Sequence, residues 1–433
     1  LGPQARLNHS QATAMSAQLD TLYLWWLGQP DAPILIGELH FARSLRAASL
    51  RYTAHWLSKG FSLSEDLPLI DQEFIPLEKD SAPGAVNDAR PDRWGERVIR
   101  FIDKPPRLSI MEYLYFAGDE RFGALGVSTS DQAYLPRQLG PLPQIEDIGA
   151  IHQAIQCVIA GEPVEPELKR LVAPGATLGG ARPKALLNID NHPWVLKFAE
   201  PGEVTDCPLI EHATMTLAAQ AGIHTAATMP IPLRRGHAVA IRRFDREGAQ
   251  RKHALSAHVA LRAAGEQMGY PELAQLIRRR GSTINNLRTN NMRELFRRLV
   301  FNILIDNTDD HEKNHAILMN DRGEYELAPA FDVLPTGQAL GYQQMRVGLH
   351  GSESTIDNAF SEASQFGLTQ PDALQEARLV AHTIDRWRQH FQDAGVTTAD
   401  INTLAETIDR PFLLQQRQAI AVPKQSPTPH QKG

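Results

Sequence analysis

Two carboxylates and one carboxamide carry the most chemistry in this chain: Asp309, Asn314 and Asp332. Asp309 and Asn314 stand five positions apart in the run Asn307-Thr308-Asp309-Asp310-His311-Glu312-Lys313-Asn314-His315, and Asp332 follows Phe331. Phosphoryl transfer uses such a set. In a D-x4-N loop the Asp faces the acceptor hydroxyl and the Asn holds magnesium, while a second Asp-bearing loop supplies another metal ligand. The segment between reads as a hairpin: apolar Ala316 to Met319, a turn Asn320-Asp321-Arg322-Gly323, then Tyr325 to Ala328. A hairpin there returns Asp332 to the side of Asn314. Upstream, Leu295 to Ile305 is apolar over much of its circumference and predicts a core helix that delivers the loop.

The same letters contain a rival. His311-Glu312-Lys313-Asn314-His315 is a literal H-E-x-x-H, the zinc-hydrolase signature. That chemistry needs both histidines on one face of a regular helix, with a third ligand further on. Asn307 to Asp310 are poor helix formers, and a strand-like run begins directly after His315, so a loop is the preferred reading. A solvated polar loop with no chemistry is the bland alternative.

Supporting residues lie upstream. Gly175, Gly179 and Gly180 sit between a predicted helix and a predicted strand, where glycines let consecutive amides turn toward phosphate oxygens. Arg182 and Lys184 add positive charge beside them; a plain flexible connector is the competing reading. Lys197 lies inside the apolar strand Trp194 to Phe198, where an ammonium is costly unless paired or turned to water. In kinases a strand lysine contacts the nucleotide phosphates and pairs with a helix glutamate, and Glu211, early in the next predicted helix, is the natural partner. Glu211 also suits a helix N-terminus by charge alone. Asp245, after a strand over His237 to Phe244, is placed either to meet a ribose hydroxyl or to cap the next segment.

The positioning elements follow from patterning. At 433 residues, 42% hydrophobic and 22% charged, the chain has room for two or three domains with real cores. A net charge of −6 argues against binding nucleic acid by bulk electrostatics. Two cysteines, Cys157 and Cys207, give no disulfide framework, and no apolar run is long enough to span a membrane, so a reducing, cytoplasmic setting is expected. Strands are predicted over Leu22 to Leu27, Ile34 to Leu39, Lys184 to Ile189 and Trp194 to Phe198, and short strands and loops over 42–80. Helices are predicted over Asp147 to Ile159, Leu209 to Ala221, and then 255–266, 271–280, 291–306, 371–393 and 398–418. The divisions are a loose N-terminus 1–20, a mixed subdomain 21–145, a small lobe 146–248, a helical catalytic lobe 249–421 and a disordered tail 422–433.

Taken together, these residues resemble the HipA-type serine/threonine kinases, toxins of bacterial type II toxin–antitoxin pairs. The resemblance rests on Gly179-Gly180-Ala181-Arg182-Pro183-Lys184, Trp194-x-x-Lys197-Phe198, Arg243-Phe244-Asp245-Arg246, Thr308-Asp309-x-His311-x-Lys313-Asn314 and Ala328-Pro329-x-Phe331-Asp332. Leu22-Tyr23-Leu24, Gly37-Glu38-Leu39 and Pro91-Asp92-Arg93-Trp94-Gly95 look like that family's first domain. It implies an α+β, two-lobed kinase-like fold, with a mixed α/β N-terminal part and a mostly helical C-terminal lobe. It implies ATP and Mg2+ as cofactors, Asp309 as catalytic base or orienter, and Asn314 and Asp332 as metal ligands. ATP would meet Gly179, Gly180, Lys184, Lys197, Glu211, His311 and Lys313, with Arg243, Phe244 and Asp245 at the base and ribose. It implies as partners a HipB-like helix-turn-helix antitoxin, through which DNA is met indirectly, and a protein substrate such as an aminoacyl-tRNA synthetase. The Gly-rich loop has no serine, so Thr177 is the candidate for autophosphorylation. Asp310 departs from the family's small residue and is expected to add charge beside the metal. Two other readings remain at this point: a binding module or co-repressor with weak or no kinase activity, and a small-molecule phosphotransferase.

Overall fold

The computed structural model describes residues 19–172, 174–175 and 180–421. The expectations for Thr177, Gly179 and both termini fall outside these residues. The chain divides into two compact units. One holds the chain up to Pro208 with Ala226–Gln267 and Lys313–Asp332; the other holds Leu209–Thr225, Met268–Glu312 and the chain from Val333 on.

The first unit opens with the antiparallel strands β1 (Thr21–Trp26), β2 (Ile34–Ala42), β3 (Ala47–Tyr52), β4 (Glu73–Phe74) and β5 (Leu125–Ser128), in the order β4-β3-β2-β1-β5. Leu22 and Leu24 point to one face of β1 and are fully buried, as period-two alternation requires. A short helix at Ala54–Lys59, in a stretch expected to be strands and loops, is set by Thr53, whose side chain accepts from the Trp56 amide. Asp92 caps the helix Arg93–Val98 by accepting from the Gly95 amide at 2.9 Å.

A second sheet holds β6 (Lys184–Ile189), β7 (His192–Lys197), β8 (Thr228–Pro232) and β9 (His237–Arg242), in the order β6-β7-β9-β8. The β6–β7 hairpin turns on Asp190 and Asn191, both at positive φ (50° and 60°), the conformation a tight two-residue turn needs. Strand β8 escaped the sequence reading because Pro230 and Pro232 argue against a strand; its place at the sheet edge tolerates the missing N–H groups. The helix Ile148–Ala160 covers this sheet. Ile151, Ile155 and Val158 share a core with Trp94, Val98, Leu196 and Phe198, so the N-terminal helix and the second sheet are welded through apolar contact.

Beyond a small ribbon of β10 (Arg246–Glu247) and β11 (Gln250–Arg251), a third sheet follows the order β12 (His253–Ser256), β13 (Ala316–Met319), β14 (Tyr325–Leu327). The β13–β14 hairpin is the one expected between Asn314 and Asp332, closed at its open end by the Ala328 amide donating to the Ala316 carbonyl at 2.9 Å.

The second unit is helical. Its longest element, Leu287–Leu304, is buried almost continuously from Leu295 to Leu304. The stretch predicted as one helix over 371–393 is two, Gln370–Ile384 and Trp387–Asp393, and the break turns Trp387 and Phe391 into the interior. The stretch over 398–418 is also two, Thr398–Ile408 and Pro411–Ala421, because Pro411 lacks the N–H that would continue a helix. The fold class is α+β, as expected, with a mixed N-terminal part and a mostly helical C-terminal part. Among the described residues no helix is long and apolar enough to cross a membrane.

Candidate functional site

Within the first unit, Lys197 and Asp332 meet. Lys197 closes β7, is almost wholly buried, and its Nζ lies 2.5 Å from Asp332 Oδ1. This is the pairing that an ammonium in an apolar strand requires. Asp332 has φ +59°, a left-handed conformation rare outside glycine and worth scrutiny as a functional constraint. Burial alone would raise its pKa; the Lys197 ammonium, with Lys184 and Arg182 further off, outweighs burial and holds the carboxyl below the ordinary range. Gly180, at φ +79°, lies beside this carboxylate, where a Cβ would sit 4.0 Å from Asp332 Oδ2. Lys184 is fully buried; its Nζ pairs with Asp92 and donates to the Gly180 carbonyl at 2.9 Å. Arg182 pairs with Glu203 at 2.6 Å.

The D-x4-N loop is held at both ends of its own sequence. On the second unit's side, Asn307, Thr308 and Asp310 are buried while Asp309 is exposed. Asn307 Nδ2 donates to Asn302 Oδ1 at 3.0 Å, and the Thr308 and Thr336 hydroxyls lie 2.7 Å apart. Asp306, at φ +60°, pairs with Arg410 at 3.1 Å and accepts from the Ala339 amide. Asp310, expected to add charge beside the metal, is turned into the protein. It is 1% exposed and accepts from the Tyr270 hydroxyl, which accepts in turn from Asn302 Nδ2 at 2.9 Å. The loop therefore clamps the neighbours and presents Asp309. Glu211, on the helix Cys207–Gln220, is buried in this same unit.

Asn314 belongs to the first unit, two residues before β13. It is 5% exposed, and its Oδ1 is buried with no hydrogen-bond partner. Buried carbonyl oxygens without a donor are uncommon and call for an explanation such as an ion. Magnesium and calcium take oxygen ligands of this kind, carboxylate and side-chain carbonyl. The residues present thus fit a hard divalent cation at Asn314 and Asp332. The zinc reading fails locally: residues 311–315 form a turn, so His311 and His315 do not share a helix face. Among the described residues no group of three His, Cys, Asp or Glu side chains is arranged to hold a metal. His311 is half-buried, with Nδ1 unpartnered, and Lys313 is exposed.

Arg243 and Asp245 form a buried hub, with Phe244 half-buried between them. Asp245 accepts from Arg243 and Arg246, each at 2.7 Å, and from the Gly123 amide at 2.8 Å. Burial opposes its charge, but the two guanidiniums hold its pKa far below the carboxylate range. Arg243 and Arg246 also donate to the Arg121 carbonyl at 2.9 and 2.8 Å. Phe244 packs between Phe122 and Phe331, the residue before Asp332. These side chains tie the end of β9 to the N-terminal segment 119–123.

Sequence reasoning passed over Asp92, named there only within the Pro91-Asp92-Arg93-Trp94-Gly95 run. The signal was available: Lys184 stands at the head of an apolar strand and needs a partner as much as Lys197 does. Asp306 was missed because its partner Arg410 is more than a hundred residues away.

Residues 32–128 match the HipA N-terminal domain, and residues 176–394, half of the chain, match the HipA-like C-terminal domain. The chain belongs to the HipA family. Its fold is similar to that of HipA from the Shewanella oneidensis MR-1 toxin–antitoxin system, solved with HipB and its operator DNA. That likeness has a TM-score of 0.65 and 18% identity over 92% of this chain and 97% of that one. A proinflammatory kinase of Helicobacter pylori, CtkA, aligns over 57% of this chain and 93% of its own, at 14% identity and a TM-score of 0.43. No curated protein matches.

Proposed function

We propose that this chain is an ATP- and Mg2+-dependent serine/threonine protein kinase of the HipA type. The observation that carries the reading is the buried, unpartnered Oδ1 of Asn314, five residues after an exposed Asp309 and in the same unit as the Lys197–Asp332 pair. Asn314 Oδ1 and the Asp332 carboxylate would hold magnesium, which when bound neutralises phosphate charge in the transition state. Lys197 keeps Asp332 ionised and would share its ammonium with the nucleotide phosphates. Asp309 orients the acceptor hydroxyl and takes its proton. The backbone at Gly179 and Gly180, with Lys184, Glu211, His311 and Lys313, would complete the nucleotide site. Arg243, Phe244 and Asp245 would lie at the nucleotide's base and ribose, met through their backbone groups, because the Arg243 and Asp245 side chains are spent on the N-terminal segment.

In this reading the chain is a cytoplasmic toxin that phosphorylates a translation component, an aminoacyl-tRNA synthetase being the first candidate. A HipB-like helix-turn-helix antitoxin would restrain it, and DNA would be reached through that partner. The fold likeness to a HipA solved with HipB and operator DNA supports looking for such a partner. Residues 21–145 would form the first subdomain, 146–248 the small lobe and 249–421 the catalytic lobe, and Thr177 is the candidate for autophosphorylation. The test is to incubate the purified chain with γ-labelled ATP, Mg2+ and bacterial lysate. A labelled protein band that disappears with Asp309→Asn is expected; equal labelling by both sinks the assignment.

A further inference from the structure

Lys184 poses a question that the nucleotide reading does not answer. Its ammonium is fully buried, yet it points away from solvent and into Asp92, a residue of the N-terminal subdomain. The same ammonium donates to the Gly180 carbonyl at 2.9 Å, and Gly180 is the residue beside the Asp332 carboxylate. Asp92 is itself immobilised. It caps its helix by accepting from the Gly95 amide at 2.9 Å. Two further contacts brace the same region. The Trp94 indole N–H donates to the Lys184 carbonyl at 2.8 Å. A Cβ on Gly95 would lie 2.1 Å from the Pro174 carbonyl oxygen, so only glycine allows that approach. The Pro91-Asp92-Arg93-Trp94-Gly95 run thus grips the chain on both sides of residues 176–179.

We propose that Asp92 is a positioning residue for the nucleotide site: acting through Lys184 Nζ, it fixes Gly180 beside Asp332. This rests on the kinase reading above, in which Gly180 and Asp332 belong to the ATP–metal site. A buried ion pair is a poor source of net stability, but it specifies geometry, and breaking one half of it leaves an uncompensated charge. Removing both charges restores stability and still leaves the Gly180 carbonyl without its donor. Placement and stability can therefore be separated.

The experiment compares Asp92→Asn with the double variant Asp92→Asn/Lys184→Met; Asn retains the helix cap. Three quantities are read: melting temperature, Kd for Mg-ATP, and hydrogen exchange of a peptide spanning Gly180 to Lys184 in the nucleotide-free protein. Asp92→Asn should melt lower, and the double variant should recover most of that loss. In both, the Gly180–Lys184 peptide should exchange faster. If the site keeps its competent geometry in about a tenth of the molecules, Kd rises about tenfold. A double variant that regains wild-type Kd and exchange along with its stability shows a merely structural pair and overturns the inference. Should the wild type bind no nucleotide, the kinase reading falls instead. Exchange then decides alone: equal rates in wild type and double variant overturn the positioning role.

Discussion

Replacing Lys197 by Met removes the ammonium from Asp332 and keeps the length of the side chain. At the 2.5 Å separation, the gross attraction at an effective dielectric of 20 is about 7 kcal/mol, most of which repays the cost of burying both groups. The measurable loss is that of a buried carboxylate left without its main partner, about 3–5 kcal/mol. Lys184 and Arg182 also act on Asp332, so the lower end, about 3 kcal/mol, is expected. For domains of this size that is a fall in Tm of about 6–12 °C. Calorimetry or urea unfolding of the nucleotide-free protein reads it. The sign with pH is fixed too. Asp332 has a folded pKa below its unfolded value, so its contribution is present above the unfolded pKa of about 3.8 and is lost as pH falls below it. The gap between wild type and Lys197→Met should therefore narrow in acid. Lys197→Met/Asp332→Asn should recover most of the loss, with a coupling of about 2 kcal/mol or more. A single-variant loss below about 1 kcal/mol, or strict additivity in the double variant, would refute the reasoning.

Asn314→Leu removes a buried acceptor that has no donor, so the metal-free protein should be as stable as wild type or slightly more so, while Mg2+-dependent stabilisation disappears; a loss above about 1 kcal/mol without metal would contradict this. Burial pushes the His253 imidazole down to about 4, against its hydrogen bond to the Leu63 carbonyl. The unfolded chain then binds the extra proton between about pH 6.5 and 4, so this contribution is full above 6.5 and about 3 kcal/mol of it is lost as pH falls through that window. Urea titrations across this range should show that drop in wild type relative to His253→Gln; parallel curves would rule it out. Tyr270→Phe takes a donor from the buried Asp310 and should cost about 1–3 kcal/mol in urea unfolding, whereas a change below about 0.5 would show that the contact carries no weight.

The parts of this fold set by local pattern were readable in advance. The β13–β14 hairpin follows from two apolar runs around Asn320 to Gly323, and the helix Leu287–Leu304 from its apolar circumference. The pairing of Lys197 was anticipated in kind, since an ammonium in an apolar strand demands an anion; in the first unit that anion is Asp332, a distant residue no spacing rule could supply. Long-range charge pairing also hid the role of Asp92, whose partner Lys184 is far along the chain; Asp245 is paired with its neighbours Arg243 and Arg246, and only its contact with the Gly123 amide is distant. The burial of Asp310 was not legible, because the Tyr270 hydroxyl that donates to it is forty residues away. Strand β8 was masked by its prolines, which only its edge position makes tolerable.

Calorimetric titration of ATP into the purified chain, with and without Mg2+, tests the central claim most directly when repeated on Asp332→Ala. The account predicts that Mg2+ strengthens binding to the wild type and that Asp332→Ala removes this enhancement. An affinity indifferent both to Mg2+ and to the loss of Asp332 would contradict it.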